Sequence, residues 1–128
     1  MSTLLDDRAL GALLRQLGGD AGAQCRFAQD FVDLWQPRAD RLVEALGHSL
    51  GEPVGDSAGR TDAEQAHVVL LSIRSSSVMV GAVVLEATAG LIHSALARGD
   101  FDGCRQHLPR LLEVGARTCR ELAELFPR

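Results

Sequence analysis

A chain of 128 residues is the length of one domain and is able to enclose a single hydrophobic core. Hydrophobic residues make up 46% and aromatic residues only 4%, so the core must consist mainly of Leu, Val and Ala. The formal net charge is −4 and the basic residues are scattered, which argues against nucleic acid as a partner.

Two leucine-rich patterns with helical spacing open the chain. The leucines from Leu10 to Leu17 predict a short first helix, which should end at Gly18 because glycine favours the position after a helix C-terminus. A second helix follows, and Pro37 inside it should bend it or break it locally. Apolar residues recur along this helix with a period near 3.6 and predict a buried side made of Phe27, Phe31, Leu34, Trp35, Leu42, Val43 and Leu46.

Residues 47–60 interrupt this pattern. Gly, Pro, Asp and Ser are concentrated in this window, so the sequence predicts a mobile loop. Directly after it, Thr61 and Glu64 have the spacing of a capping box, in which each side chain accepts a hydrogen bond from a free backbone N–H group at the start of a helix. We therefore expect a third helix to begin at Thr61.

The next segment is compatible with two structures. Residues 67–73 and 78–85 are rich in β-branched side chains and would suit two buried strands joined by a serine-rich turn. However, helical spacing resumes from Leu85 to Leu96, and a lone hairpin between long helices would leave its sheet edges unpaired. We therefore predict helices here, followed by a last amphipathic helix from Phe101 onwards.

Together these elements predict an all-α fold, an antiparallel four-helix bundle with a short leading helix, formed by one domain over residues 1–128. The most apolar stretch, 68–91, contains charged residues and is too polar to span a bilayer. The N-terminal residues lack the basic segment of a signal peptide, and the three cysteines have no CxxC spacing. We expect a cytoplasmic protein with reduced thiols and no membrane partner.

Residues 70–82, which read LLSIRSSSVMVGA, resemble the active-site helix of histidine phosphotransfer (HPt) domains. That helix carries a reactive histidine, a basic residue three positions later, small residues after it, and a closing Gly-Ala pair. Here Arg74 stands at the basic position and Ser75 at the small one, but Leu71 stands at the position of the histidine. The order of the other elements resembles the same family over nearly the whole chain, apart from the longer 47–60 segment.

This resemblance implies a phosphorelay protein of two-component signal transduction, whose partner is a response-regulator receiver domain or a sensor kinase. In such a relay the phosphoryl group moves between an aspartate of the receiver domain and the histidine, and a leucine is unable to accept it. We therefore predict a protein that docks on a receiver domain or kinase without accepting phosphate, with no catalytic residue, no enzyme activity and no cofactor.

The partner-binding residues predicted from this resemblance form one strip of the third helix. Offsets of three, four and seven residues from Leu71 return to nearly the same side of a helix, which should face solvent. The predicted surface, called the outer strip below, consists of His67, Leu71, Arg74, Ser75 and Val78.

Two alternatives remain open. His67 lies one helical turn before Leu71 and would accept the phosphoryl group if the protein is an active phosphotransfer protein. The chain would otherwise be a structural, dimerising bundle unrelated to phosphorelays. The remaining histidines, His48, His93 and His107, have no short ligand spacing, so we expect no metal site.

Overall fold

A computed structural model describes the backbone of residues 4–51 and 56–128 and the side chains of residues 4–47 and 62–128. Its helices are α1 (Asp7–Gln16), α2 (Ala21–Gly51), α3 (Asp56–Met79), α4 (Val83–Ala97) and α5 (Phe101–Leu125). No strand occurs in the part of the chain that the structure describes, so the β-branched segments of α3 and α4 are helical.

The four long helices pack as a closed antiparallel bundle. Contacts join α2 with α3, α3 with α4, α4 with α5, and α5 with α2, while the short α1 lies against α2 and α3. The predicted all-α fold with a leading helix is confirmed. Among the described helices, none is both long enough and apolar enough to cross a membrane.

The core is aliphatic, as the composition predicts. Two aromatic side chains of α2, Phe31 and Trp35, are also buried in it, and Trp35 lies directly against Gly115 of α5. A methyl group at Gly115 would overlap the indole ring, so the two helices approach closely only because this residue is glycine. The largest fully buried side chains include Leu42, Leu46, Leu70, Ile73, Leu85, Ile92, Leu111 and Leu122.

The buried side of α2 is narrower than the sequence predicted. Phe31, Trp35 and Leu42 are buried, but Leu34 and Val43 are exposed. With about 100° between successive residues, Leu34 and Val43 each lie roughly 90° from the centre of the buried side. They therefore flank the core instead of filling it. The helix continues through Pro37 without ending.

Both neighbouring helices extend into the predicted loop at 47–60. α2 ends at Gly51 and α3 begins at Asp56, so the helix start predicted at Thr61 is five residues too late. Glycine within a helix costs only about 1 kcal/mol relative to alanine, and the glycines of this window do not prevent helix formation. Residues 52–55 lie outside the described residues, and the mobility of the segment stays a prediction.

The Gly-Ala pair forms a tight turn between α3 and α4. Gly81 has a φ of 72°, which favours glycine, and its carbonyl accepts a hydrogen bond of 2.7 Å from the backbone N–H of Asp6. A Cβ atom at Gly81 would lie 2.8 Å from the carbonyl oxygen of Asp6. Leu4 and Leu5, which precede Asp6 in the chain, are buried, so residues 4–6 are held against this turn.

Candidate functional site

The residues of the outer strip lie together on the solvent side of α3. His67, Leu71, Ser75 and Val78 are exposed, and Arg74 is half-buried. At about 100° per residue, the five positions span roughly 100° of the helix circumference. Leu71, near the centre, exposes 43% of its surface. The structure thus brings the five predicted residues together, and their role in binding stays a prediction.

Two further apolar residues widen this surface towards α2. Val68 and Met79 are exposed and lie about 60° and 80° around α3 from Leu71. With Leu71 and Val78 they place four exposed apolar side chains on one helix. The pattern of β-branched and apolar residues did not single out Val68 or Met79, because an apolar run alone does not show which residues face the core.

A polar network borders the outer strip on the side of α4. His93 of α4 lies between two residues of the strip: its Nε2 is 2.7 Å from Nδ1 of His67, and its Nδ1 is 3.0 Å from Nη1 of Arg74. The other terminal nitrogen of Arg74, Nη2, is 3.4 Å from Oε1 of Glu86. We call these four residues the α3–α4 network.

Arg74 crosses the surface of α4 to make these contacts. A Cβ atom at Gly90 would lie 3.8 Å from Nε of Arg74, so the guanidinium extends over this glycine between Glu86 and His93. The guanidinium group is therefore paired with side chains of α4 and does not extend freely into solvent beside Leu71. The outer strip consequently has an apolar centre and a cationic edge that is already paired.

Sequence reasoning missed His93 and Glu86 because they are distant in the chain from the residues they contact. A usable signal nevertheless exists in the antiparallel pairing of α3 and α4. The pairs Arg74–Glu86 and His67–His93 are both symmetric about residue 80, next to the tight turn. Residues equally far from such a turn lie side by side on the two helices. Applied to the sequence, this rule would have paired His67 with His93.

Hydrogen-bond chemistry gives the network a direction. A guanidinium group has only donors, so Arg74 donates and Nδ1 of His93 accepts. A neutral imidazole that accepts at Nδ1 carries its proton on Nε2, and His93 therefore donates from Nε2 to Nδ1 of His67. Neutral His67 in turn carries its own proton on Nε2. The hydrogen bonds run from Arg74 through His93 to His67.

The surroundings of His93 also lower its pKa below the ordinary value of 6.5. Partial burial is the largest cause, because it disfavours the charged imidazolium. Electrostatic interaction with His67 and with the charge of Arg74 lowers the pKa further. His93 is therefore neutral at neutral pH, as the direction of the hydrogen bonds requires.

Comparison with known proteins supports one structural relationship. No protein-family model matches the chain, and no curated protein matches it. The crystal structure of the histidine-containing phosphotransfer protein ZmHP2 from maize is similar, with a TM-score of 0.59 and 22% identity over 95% of this chain and 86% of that chain. The fold is that of a histidine-containing phosphotransfer protein.

Within this HPt-like bundle, Leu71 projects from the outer side of α3, ten residues before Gly81. The adjacent Leu70 is fully buried, so the helix does not turn Leu71 into the core. An exposed leucine thus occupies the position that the family resemblance assigns to the reactive histidine.

The imidazoles of His67 and His93 are not arranged to hold a metal ion. A metal bound to Nε2 of His93 would leave the ring proton on Nδ1, where it would face a donor of Arg74 at 3.0 Å. Metal-bound histidines usually donate this second N–H to a carboxylate or carbonyl oxygen. Among the described residues, no three side chains of His, Cys, Asp or Glu form a group able to hold a metal.

A groove between α2 and α3 borders the other side of the strip. Nη1 of Arg38 donates a hydrogen bond of 3.2 Å to Oγ of Ser76, next to the strip residue Ser75. The groove has a volume of about 240 Å³, and Leu34 is exposed at its edge. The outer strip therefore lies between a polar network on α4 and a partly apolar groove on α2.

Proposed function

We propose that this protein acts in two-component signalling by binding a response-regulator receiver domain or a sensor kinase through the outer strip, without accepting a phosphoryl group. The observation that carries the proposal is the exposure of Leu71, at 43%, where the HPt resemblance places the reactive histidine. Leucine has no lone pair with which to attack phosphorus. Its exposed side chain is instead suited to anchor an interface.

The composition of the surface supports a protein partner. Protein interfaces combine an apolar centre with a polar rim, and a few central anchors supply most of the binding energy. Leu71 and Val78 form the apolar centre here, while His67, Ser75 and Arg74 lie around them. With Val68 and Met79, the two central residues form a group of exposed apolar side chains on one helix, and such groups mark interaction sites more often than single exposed residues do.

The alternative, phosphotransfer through His67, has less support. Attack on phosphorus requires a lone pair on an accessible ring nitrogen. In the neutral network Nδ1 of His67 accepts a hydrogen bond of 2.7 Å from His93, and Nε2 carries the proton. His67 also lies about 6 Å along the helix from Leu71. A partner that places its aspartate at Leu71 would therefore not reach an available nitrogen of His67.

The experiment measures transfer and binding separately. Receiver domains carrying a radiolabelled aspartyl phosphate are mixed with the protein, and the acid-labile label on the protein is quantified. Binding is measured with the same receiver domains in their phosphorylated and unphosphorylated forms. We expect saturable binding to at least one receiver domain or kinase and no label on the protein. Label that is lost in His67→Ala would instead support the alternative.

The other alternative, a structural bundle unrelated to phosphorelays, predicts a different result for the same samples. A structural, dimerising bundle would form a stable dimer in sedimentation and bind none of the receiver domains or kinases. That result would contradict the proposal even if no phosphate is transferred.

A further inference from the structure

We propose that the α3–α4 network is a proton-sensitive switch: its neutral form holds Arg74 and His67 against α4, and protonation of either imidazole breaks one of its contacts and loosens Arg74 or His67 beside Leu71. This inference concerns the protein alone and does not depend on the partner proposed above.

The number of protons in the network decides its state. Two ring nitrogens 2.7 Å apart share one proton, since one must donate and the other accept. In the neutral network, each of the two contacts of His93, with Arg74 and with His67, has one donor and one acceptor. An added proton on Nδ1 of His93 would set two donors against each other across the 3.0 Å contact with Arg74. An added proton on Nδ1 of His67 would do the same across the contact between the rings.

Either protonation therefore breaks one contact of the network. If His93 is protonated, Arg74 loses its contact with the ring and is held on α4 by Glu86 alone, at 3.4 Å. If His67 is protonated, its ring must turn away from His93 into solvent, where it is already exposed. In both cases the positive charge beside Leu71 increases.

The charged groups around His93 determine the pH at which this occurs. From α3, His67 and Arg74 both oppose a positive charge on the ring. From α4, Glu86 favours it, but the carboxylate is directed at Arg74. α5, which is described throughout, contributes no charged group to the lowered pKa of His93. The network is therefore closed at neutral pH and opens only as the pH falls below the ordinary histidine value of 6.5.

The experiment is an NMR titration of the imidazole nitrogens in the isolated wild-type protein between pH 8 and pH 4.5. At pH 7.5 we expect both His67 and His93 in the tautomer that is protonated on Nε2. We expect His93 to titrate below 6.5, together with changes in the side-chain signals of Arg74. His93 protonated on Nδ1 at pH 7.5, or titration without any response of Arg74, would overturn the proposal.

A pair of variants tests the cause. Arg74→Gln removes one positive charge and replaces a donor-only group by an amide that both donates and accepts, so the midpoint of His93 should shift upwards and its tautomer should no longer be fixed. His107→Gln, on α5 and outside the network, should leave the His93 titration unchanged. Arg74 is half-buried at the surface, and a circular dichroism melt verifies that Arg74→Gln is folded. A midpoint that does not change in Arg74→Gln would contradict the proposed role of Arg74.

Discussion

The two sides of α3 place the same residue type in opposite environments. Leu70 is fully buried between helices, whereas Leu71, the next residue, exposes 43% of its surface. Burial of Leu70 stabilises the bundle whatever the protein does. Leu71 adds little to stability, so under the proposed function its side chain is available to a partner. The core side of α3 is thus informative about the fold, and the role of the outer strip is what the following experiments test.

The largest expected effect is a difference in stability between these two leucines. Leu70→Ala should lower the free energy of unfolding by about 2–5 kcal/mol, because it leaves a cavity in the packed core. Leu71→Ala should change it by less than about 0.5 kcal/mol, since the side chain is at the surface. Urea denaturation of both variants measures the difference. Equal losses would show that Leu71 belongs to the core.

The next effect concerns binding. Leu71→Asp places a charge at the centre of the proposed interface and should weaken partner binding at least tenfold, or by about 1.4 kcal/mol. Its thermal melt should remain close to that of the wild type. The matched control is Leu91→Asp on α4, because Leu91 exposes 53% of its surface but lies about 150° around α4 from the side that meets α3. Equal weakening by both substitutions would remove the distinction between the strip and the rest of the surface.

A smaller effect is expected in the pH dependence of stability. The pKa of His93 is lowered by burial and by neighbouring positive charges, so the folded state favours the neutral ring. This contribution is fully present above 6.5, the ordinary value expected in the unfolded chain, and is lost as the pH falls through the lower pKa of the folded state. Denaturation from pH 8 to pH 5 should show it. His93→Gln should flatten the profile, and His107→Gln should not.

The helices and the outer strip were predictable because both depend on periodicity within one element. The 3.6-residue repeat and the HPt resemblance together are enough to predict that Leu71 and Val78 lie on the solvent side of the third helix. The capping box at Thr61 was misleading, since α3 begins at Asp56 and the box lies inside the helix. A local motif identifies a possible helix start, but it does not prevent an existing helix from extending further.

The α3–α4 network was not predictable by the same reasoning. Local spacing offers His93 no partner nearby in the chain, because its contacts are with residues 19 and 26 positions away. Such contacts depend on how two helices align across a turn. The symmetry of His67 and His93 about residue 80 shows that the information for this contact was present in the position of the turn and not in any single helix.

The most direct test of the central claim is the transfer of labelled phosphate to Leu71→His. If Leu71 alone separates this protein from an active phosphotransfer protein, an accessible imidazole at this position should acquire acid-labile label from a receiver domain that the protein binds. The wild type and His67→Ala should remain unlabelled under the same conditions. Label on the wild type that disappears in His67→Ala, with none gained by Leu71→His, would contradict the account.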